Sequence, residues 1–180
     1  LETITYHEGN PGHHMQIGIA QELTGSPKYR TEYGSTAYQE GWALYRETLA
    51  KEMGQYADPY SDYGRLSAEI WRAIRLVVDT GIHAKGWSEE EAVQYFLDNS
   101  SVPEAAVRSE IRRYIVWPAQ ATAYKIGELK IRALRAKAEA ALGDRFDIRD
   151  FHGVVLGQGA VPLDVLDAQV KAWVADSAAR

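Results

Sequence analysis

The run Tyr63-Gly64-Arg65-Leu66-Ser67-Ala68-Glu69-Ile70-Trp71-Arg72-Ala73-Ile74-Arg75-Leu76-Val77-Val78-Asp79-Thr80-Gly81-Ile82-His83 holds no proline and shows no alternation with period two. Leu66, Ile70, Trp71, Ile74, Leu76, Val77 and Val78 recur at the spacing of an α-helix. The second half is apolar nearly all round, which predicts a helix at the centre of the fold. Asp58-Pro59-Tyr60-Ser61-Asp62 before it reads as a turn. Beyond it, Ser88 and Glu91 form a capping-box pattern that starts a helix through Leu97. Val102-Pro103-Glu104 opens a helix to about Val116, Pro118 interrupts, and Gln120 to Ala141 continues as a helix whose Lys130, Arg132, Arg135 and Lys137 look like a solvated face. Gly143 ends it, and Ile148 to Leu156 and Pro162 to Ala178 complete the chain as helices.

Toward the N-terminus, Ala37 to Met53 has Trp42, Leu44, Tyr45 and Leu49 at helical spacing, after a connection containing Tyr29, Tyr33 and Tyr38. Residues 1 to 23 read as one helix interrupted by Pro11-Gly12 and ended by Gly25-Ser26-Pro27. The expected fold is all-α with about eight helices in a single domain over residues 1–180. The five tryptophans are expected to be mostly core aromatics.

A chain of 180 residues with 46% apolar and 25% charged residues can bury a core of its own. Its net charge of −5 gives no general attraction to nucleic acid or anionic membranes. With no cysteine, a metal would have to use imidazoles and carboxylates. No apolar run is long enough to span a membrane. The chain opens at Leu1, immediately before its most chemical segment, which suggests the C-terminal fragment of a longer protein. Such a lobe would expose apolar surface normally covered by the missing N-terminal part, so self-association is a further expectation.

That segment is Tyr6-His7-Glu8-Gly9-Asn10-Pro11-Gly12-His13-His14-Met15-Gln16, with three of the five histidines in eight residues. The nearest chemistry is H-E-x-x-H, where two histidines one turn apart hold zinc and the glutamate is the general base. Here the spacing is longer. On a regular helix His7 and His13 fall on different faces, and His7 and His14 share a face but lie two turns apart. A break at Asn10-Pro11-Gly12 could return one of the two to His7, and Glu40 is the best-placed carboxylate for a third donor. A His-His-Glu set leaves one position open, as catalytic zinc sites do.

These residues, with Glu40-Gly41-Trp42-Ala43-Leu44-Tyr45, Arg75 to His83, Pro118-Ala119-Gln120, Tyr124-Lys125-Ile126-Gly127, Arg145-Phe146-Asp147 and Phe151-His152, resemble the bacterial family catalogued as domain of unknown function 885. That family is similar in turn to helical gluzincin peptidases of the thimet oligopeptidase and thermostable carboxypeptidase type, whose motif is His-Glu-x-Gly-His. The resemblance implies half of a larger zincin-like helical fold, with His7 and either His13 or His14 as zinc ligands, Glu40 as the third and Glu8 as general base. It further implies metal-assisted hydrolysis of a peptide-like substrate, with Tyr124 stabilising the oxyanion and His83 acting as a catalytic or substrate contact. Arg113, Tyr114 and Lys125 become candidates for a substrate carboxylate. A bacterial cytoplasm or cell-envelope location both remain open. The other reading is a non-catalytic helical binding or structural module that keeps the polar cluster without a metal.

Overall fold

A computed structural model describes residues 1–25, 27, 30, 32 and 34–179. Among these there is no strand, and the chain is all-α. The order is α1 (Glu2–Glu8), α2 (His13–Glu22), α3 (Thr36–Glu52), α4 (Pro59–Lys85), α5 (Glu89–Asn99), α6 (Glu104–Val116), α7 (Gln120–Leu142), a 3-10 turn (Gly143–Arg145), α8 (Ile148–Leu156) and α9 (Leu163–Ala179). Tyr29, Tyr33 and Ser26 lie outside the described residues.

The helix at the centre is α3. Tyr38, Trp42, Tyr45 and Leu49 are buried, and so is the whole run Gly41 to Glu47. It packs along α7, and the two backbones touch. A Cβ on Gly127 would stand 1.8 Å from the carbonyl oxygen of Ala37, and one on Gly41 would stand 2.4 Å from the Gly127 backbone. Only glycine at both positions allows this approach. Around this pair, Ile131, Leu134, Phe151, Val155, Leu166 and Val170 from α7, α8 and α9 form one core. A second core joins α4, α5 and α6 through Ile74, Val78, Phe96, Val107 and Ile111.

The sequence placed α4 at the centre, and the structure corrects this. Leu66, Ile70 and Val77 are exposed with Tyr63, and these four lie within one narrow arc of the helix. Three of them lie in the first half of the helix; in the apolar second half Ile74 and Val78 are buried and Val77 is exposed. The helix also starts a turn earlier than predicted, because Asp58 caps it by accepting from the backbone N–H groups of Tyr60 and Ser61, with Pro59 at its first position. The Ser88–Glu91 capping box is present as read. Trp117 is exposed, unlike Trp42. Of the basic face on α7, Arg132 and Lys137 are exposed, whereas Lys130 pairs with Asp167 and Arg135 bridges Glu52, Glu139 and the Tyr45 hydroxyl.

Candidate metal centre

The helix predicted over residues 1 to 23 is two helices, α1 and α2, with the break at residues 9–12 as the Pro-Gly step required. Asn10–Pro11 is cis. A Cβ on Gly12 would lie 1.9 Å from the His7 carbonyl oxygen and 2.4 Å from that of Tyr6, so α2 begins directly against the end of α1. Trp42 Nε1 donates to the Pro11 carbonyl at 3.0 Å and ties the break to α3. The outcome is local and specific: His13 swings next to His7, their rings 4.9 Å apart and nearly perpendicular.

His7, His13 and Glu40 each offer one donor atom, and the three atoms lie within 4.8 Å of one another. His7 Nε2 is 3.4 Å from Glu40 Oε2, and His13 Nε2 is 3.2 Å from the same oxygen. Two donors held tetrahedrally at zinc distances of about 2.0–2.1 Å are about 3.3 Å apart, and both imidazole–carboxylate separations match that spacing. His14 is exposed and stands outside the set. The structure thus brings in the first of the paired histidines.

Each inward imidazole is held from behind. His7 Nδ1 donates to Glu47 Oε1 at 2.7 Å, and His13 Nδ1 to Gln16 Oε1 at 3.3 Å. Fixing Nδ1 in this way leaves Nε2 for the centre and sets the ring's tautomer. Glu47 is 1% exposed and also accepts from Arg72 Nη2 at 3.2 Å. Sequence reasoning missed Glu47, although a signal exists: it lies seven residues after Glu40, two turns on along the same face. Gln16 was equally findable, at i+3 from His13.

The electrostatics are those of a tight cluster. Burial alone would raise the Glu40 carboxyl, but hydrogen bonds from His13 and His7 outweigh it and hold the group down to about 2. Burial likewise works to lower His7, and Glu40 and Glu47 overcome it, leaving the imidazole above its ordinary value.

Tyr124 stacks on His7 at 6.3 Å between ring centroids, and the Arg75 guanidinium carbon lies 4.6 Å from the Tyr124 ring centroid. Among the described residues, the Tyr124 hydroxyl receives only a long contact from Gln120 at 3.4 Å. Glu8 is exposed at the end of α1, one turn beyond Ile4. Arg113 and Tyr114 belong to a network that converges on Glu110 Oε2, with Arg113 also donating to Gln120 and Tyr114 receiving Arg75 Nε. His83 is not brought to the cluster; it bonds the Tyr114 carbonyl at 2.9 Å. Lys125 is not free for a substrate carboxylate, because it is buried between Glu69 and Glu128, 3.1 Å from each.

The sequence model of a family described as "Bacterial protein of unknown function (DUF885)" matches residues 1–170. Among solved structures, a protein described as a "putative lipoprotein" from Colwellia psychrerythraea is 50% identical, with a TM-score of 0.96 over 98% of this chain and 30% of that one. A "putative lipoprotein of unknown function" from Shewanella oneidensis is 25% identical, with a TM-score of 0.80 over 93% of this chain and 31% of that one. The chain therefore spans less than a third of the length of either. No curated protein matches it.

Proposed function

The chain belongs to the bacterial DUF885 family, and we propose that it carries the zinc centre of a hydrolase acting on peptide bonds, with His7, His13 and Glu40 as ligands. One observation carries the reading: three donors from three helices converge within 4.8 Å of one another, both imidazoles 3.2–3.4 Å from the same Glu40 oxygen and oriented from behind by Glu47 and Gln16. Bound zinc supplies Lewis acidity for a water molecule and for the scissile carbonyl. Glu8, next to His7 at the end of α1, would serve as the group that accepts a proton from the attacking water and returns it to the leaving amine as the C–N bond breaks. Tyr124 offers its weakly engaged hydroxyl to the oxyanion. Glu47 and Arg72 keep His7 in register behind this chemistry.

The proposal includes a cell-envelope location, supported by the description of both similar structures as "putative lipoproteins". No helix among the described residues is long and apolar enough to cross a membrane. The direct test is metal content. Protein purified without added metal should carry close to one zinc per chain, and His7→Ala and Glu40→Ala should carry none. Wild-type protein without a stoichiometric divalent ion at neutral pH overturns the reading.

A further inference from the structure

Glu110 lies on α6, a helix that supplies none of the proposed metal ligands, yet a network beside Tyr124 closes on it. Its Oε2 accepts from Arg75 Nη2 at 3.1 Å, from Arg113 Nη2 at 3.0 Å and from the Tyr114 hydroxyl at 2.8 Å. Burial works to raise this carboxyl, but the Arg113 and Tyr114 hydrogen bonds and the two guanidinium charges outweigh it and hold the group below its ordinary value. An ionised oxygen that receives three donors makes a firm junction, because hydrogen bonds to a charge are the strong ones.

The polarity of the network is set by its chemistry. Arginine and the tryptophan indole can only donate. The Tyr114 hydroxyl therefore accepts Arg75 Nε at 2.9 Å and Trp71 Nε1 at 3.1 Å, and its own proton goes to Glu110. Arg113 Nη1 donates to Gln120 Oε1 at 2.8 Å, so the amide oxygen is taken and the amide nitrogen faces the Tyr124 hydroxyl at 3.4 Å. Gln120 thus meets Tyr124 as a donor. The phenol oxygen accepts in that contact, and its proton is left to be donated elsewhere.

Two arms run from Glu110 to Tyr124. One passes through Arg113 and Gln120 to the hydroxyl. The other is the buried Arg75 guanidinium, whose carbon lies 4.6 Å from the Tyr124 ring centroid, within reach of the attraction between a cation and a ring face. The same ring stacks on His7. The core shared by α4, α5 and α6 is in this way connected to the metal centre by a chain of direct contacts.

We propose that Glu110 is a positioning residue for the metal centre: through Arg75, and through Arg113 and Gln120, it holds the Tyr124 ring beside His7 with the hydroxyl proton free for a ligand on the ion. The inference rests on the reading of Tyr124 as the oxyanion donor and deepens it, by assigning Arg113 and Tyr114 to the support of that hydroxyl.

The test needs no turnover. Acetohydroxamate, a small anion that requires only an open metal position, is titrated into the cobalt-loaded full natural polypeptide and followed by the cobalt d–d absorption. Tyr124→Phe should weaken its binding by about fivefold or more, the worth of one net hydrogen bond, while cobalt affinity changes little. Gln120→Glu keeps a partner for Arg113 but offers the phenol an acceptor, which turns its proton away from the ion. Hydroxamate binding should fall by a similar factor with no loss of melting temperature, an outcome that a purely structural Gln120 does not give. Glu110→Gln should cost as much again in the wild-type background and almost nothing alongside Tyr124→Phe. Thermal melts check that each variant folds, and if Glu110→Gln does not, Gln120→Glu decides alone. Hydroxamate binding unchanged in Tyr124→Phe or in Gln120→Glu, or weakened equally by Glu110→Gln with and without Tyr124→Phe, overturns the proposal and leaves the metal centre standing. Protein that takes up no cobalt sinks the metal reading and this inference with it.

Discussion

Glu47 Oε1 accepts a hydrogen bond from His7 Nδ1 at 2.7 Å, and that pair is almost wholly closed off from solvent. The carboxylate orients the imidazole and makes it a stronger donor on its other nitrogen. Replacing Glu47 with Gln keeps the volume and an acceptor but removes the charge, so zinc affinity should fall about 10- to 100-fold. Competition with a chromogenic chelator measures this, and an unchanged affinity would show that Glu47 has no influence on the ion.

The paired histidines should behave unequally. His13→Ala removes a donor and should leave the purified protein without zinc, while His14→Ala, on the exposed side, should retain one equivalent. Both proteins can be compared by elemental analysis after the same dialysis. Loss of metal from His14→Ala alone would contradict the geometry.

Zinc should stabilise the fold by mass action. At a free concentration one hundred times Kd, a ligand that binds only the folded state adds about 2.7 kcal/mol, so chelator should lower the melting temperature of the zinc-loaded protein by several degrees. A metal-free polar cluster, already internally hydrogen-bonded, predicts coincident melts with and without chelator.

Gly127→Ala should be among the most damaging small substitutions in the molecule. Its methyl group would meet the Ala37 carbonyl oxygen at 1.8 Å, so α3 and α7 must separate, at a cost of about 1–3 kcal/mol or more. Glu40 sits one turn past Ala37, so zinc affinity should fall together with the denaturation midpoint. Gly64→Ala, with open space around its Cβ, serves as the control and should change little.

His152 gives a pH signature away from the metal centre. Burial first, then the Arg46 and Arg135 charges, push its imidazole down to about 4. The unfolded chain protonates near the ordinary value of about 6.5, so it binds the proton first on acidification. Stability from this site is complete above about pH 6.5 and is lost as pH falls toward 4, by an amount on the order of 2 kcal/mol. In His152→Gln, urea midpoints taken between pH 7 and 4 should slope less than in the wild type. Parallel slopes would remove His152 as the source.

Much of the fold was legible because its punctuation is local. Pro11-Gly12, Ser88 with Glu91 and Gly143 act through their own backbone or a partner a few residues away. His7, His13 and Glu40 stood out because imidazoles are scarce in this chain and clustered. Glu47 did not, since a carboxylate on an amphipathic helix looks solvated until α1, α3 and α4 close over it. Lys125 misled for the opposite reason: a cation in a suggestive motif is silenced by Glu69 and Glu128, and Glu69 lies 56 residues away. The face of α4 that would stay bare was equally hidden, because apolar periodicity says which residues seek cover and not which of them find it.

The close seating of Gly12 on the carbonyls of Tyr6 and His7 also changes what a metal would do mechanically. In H-E-x-x-H both imidazoles ride on one rigid rod, and the ion adds little to its shape. Here the donors come from α1, α2 and α3, and among the described residues α1 buries only Thr3 and His7. An ion at this junction is a rivet through three plates. Without it, the first 22 residues should become the part of the molecule that a protease finds first.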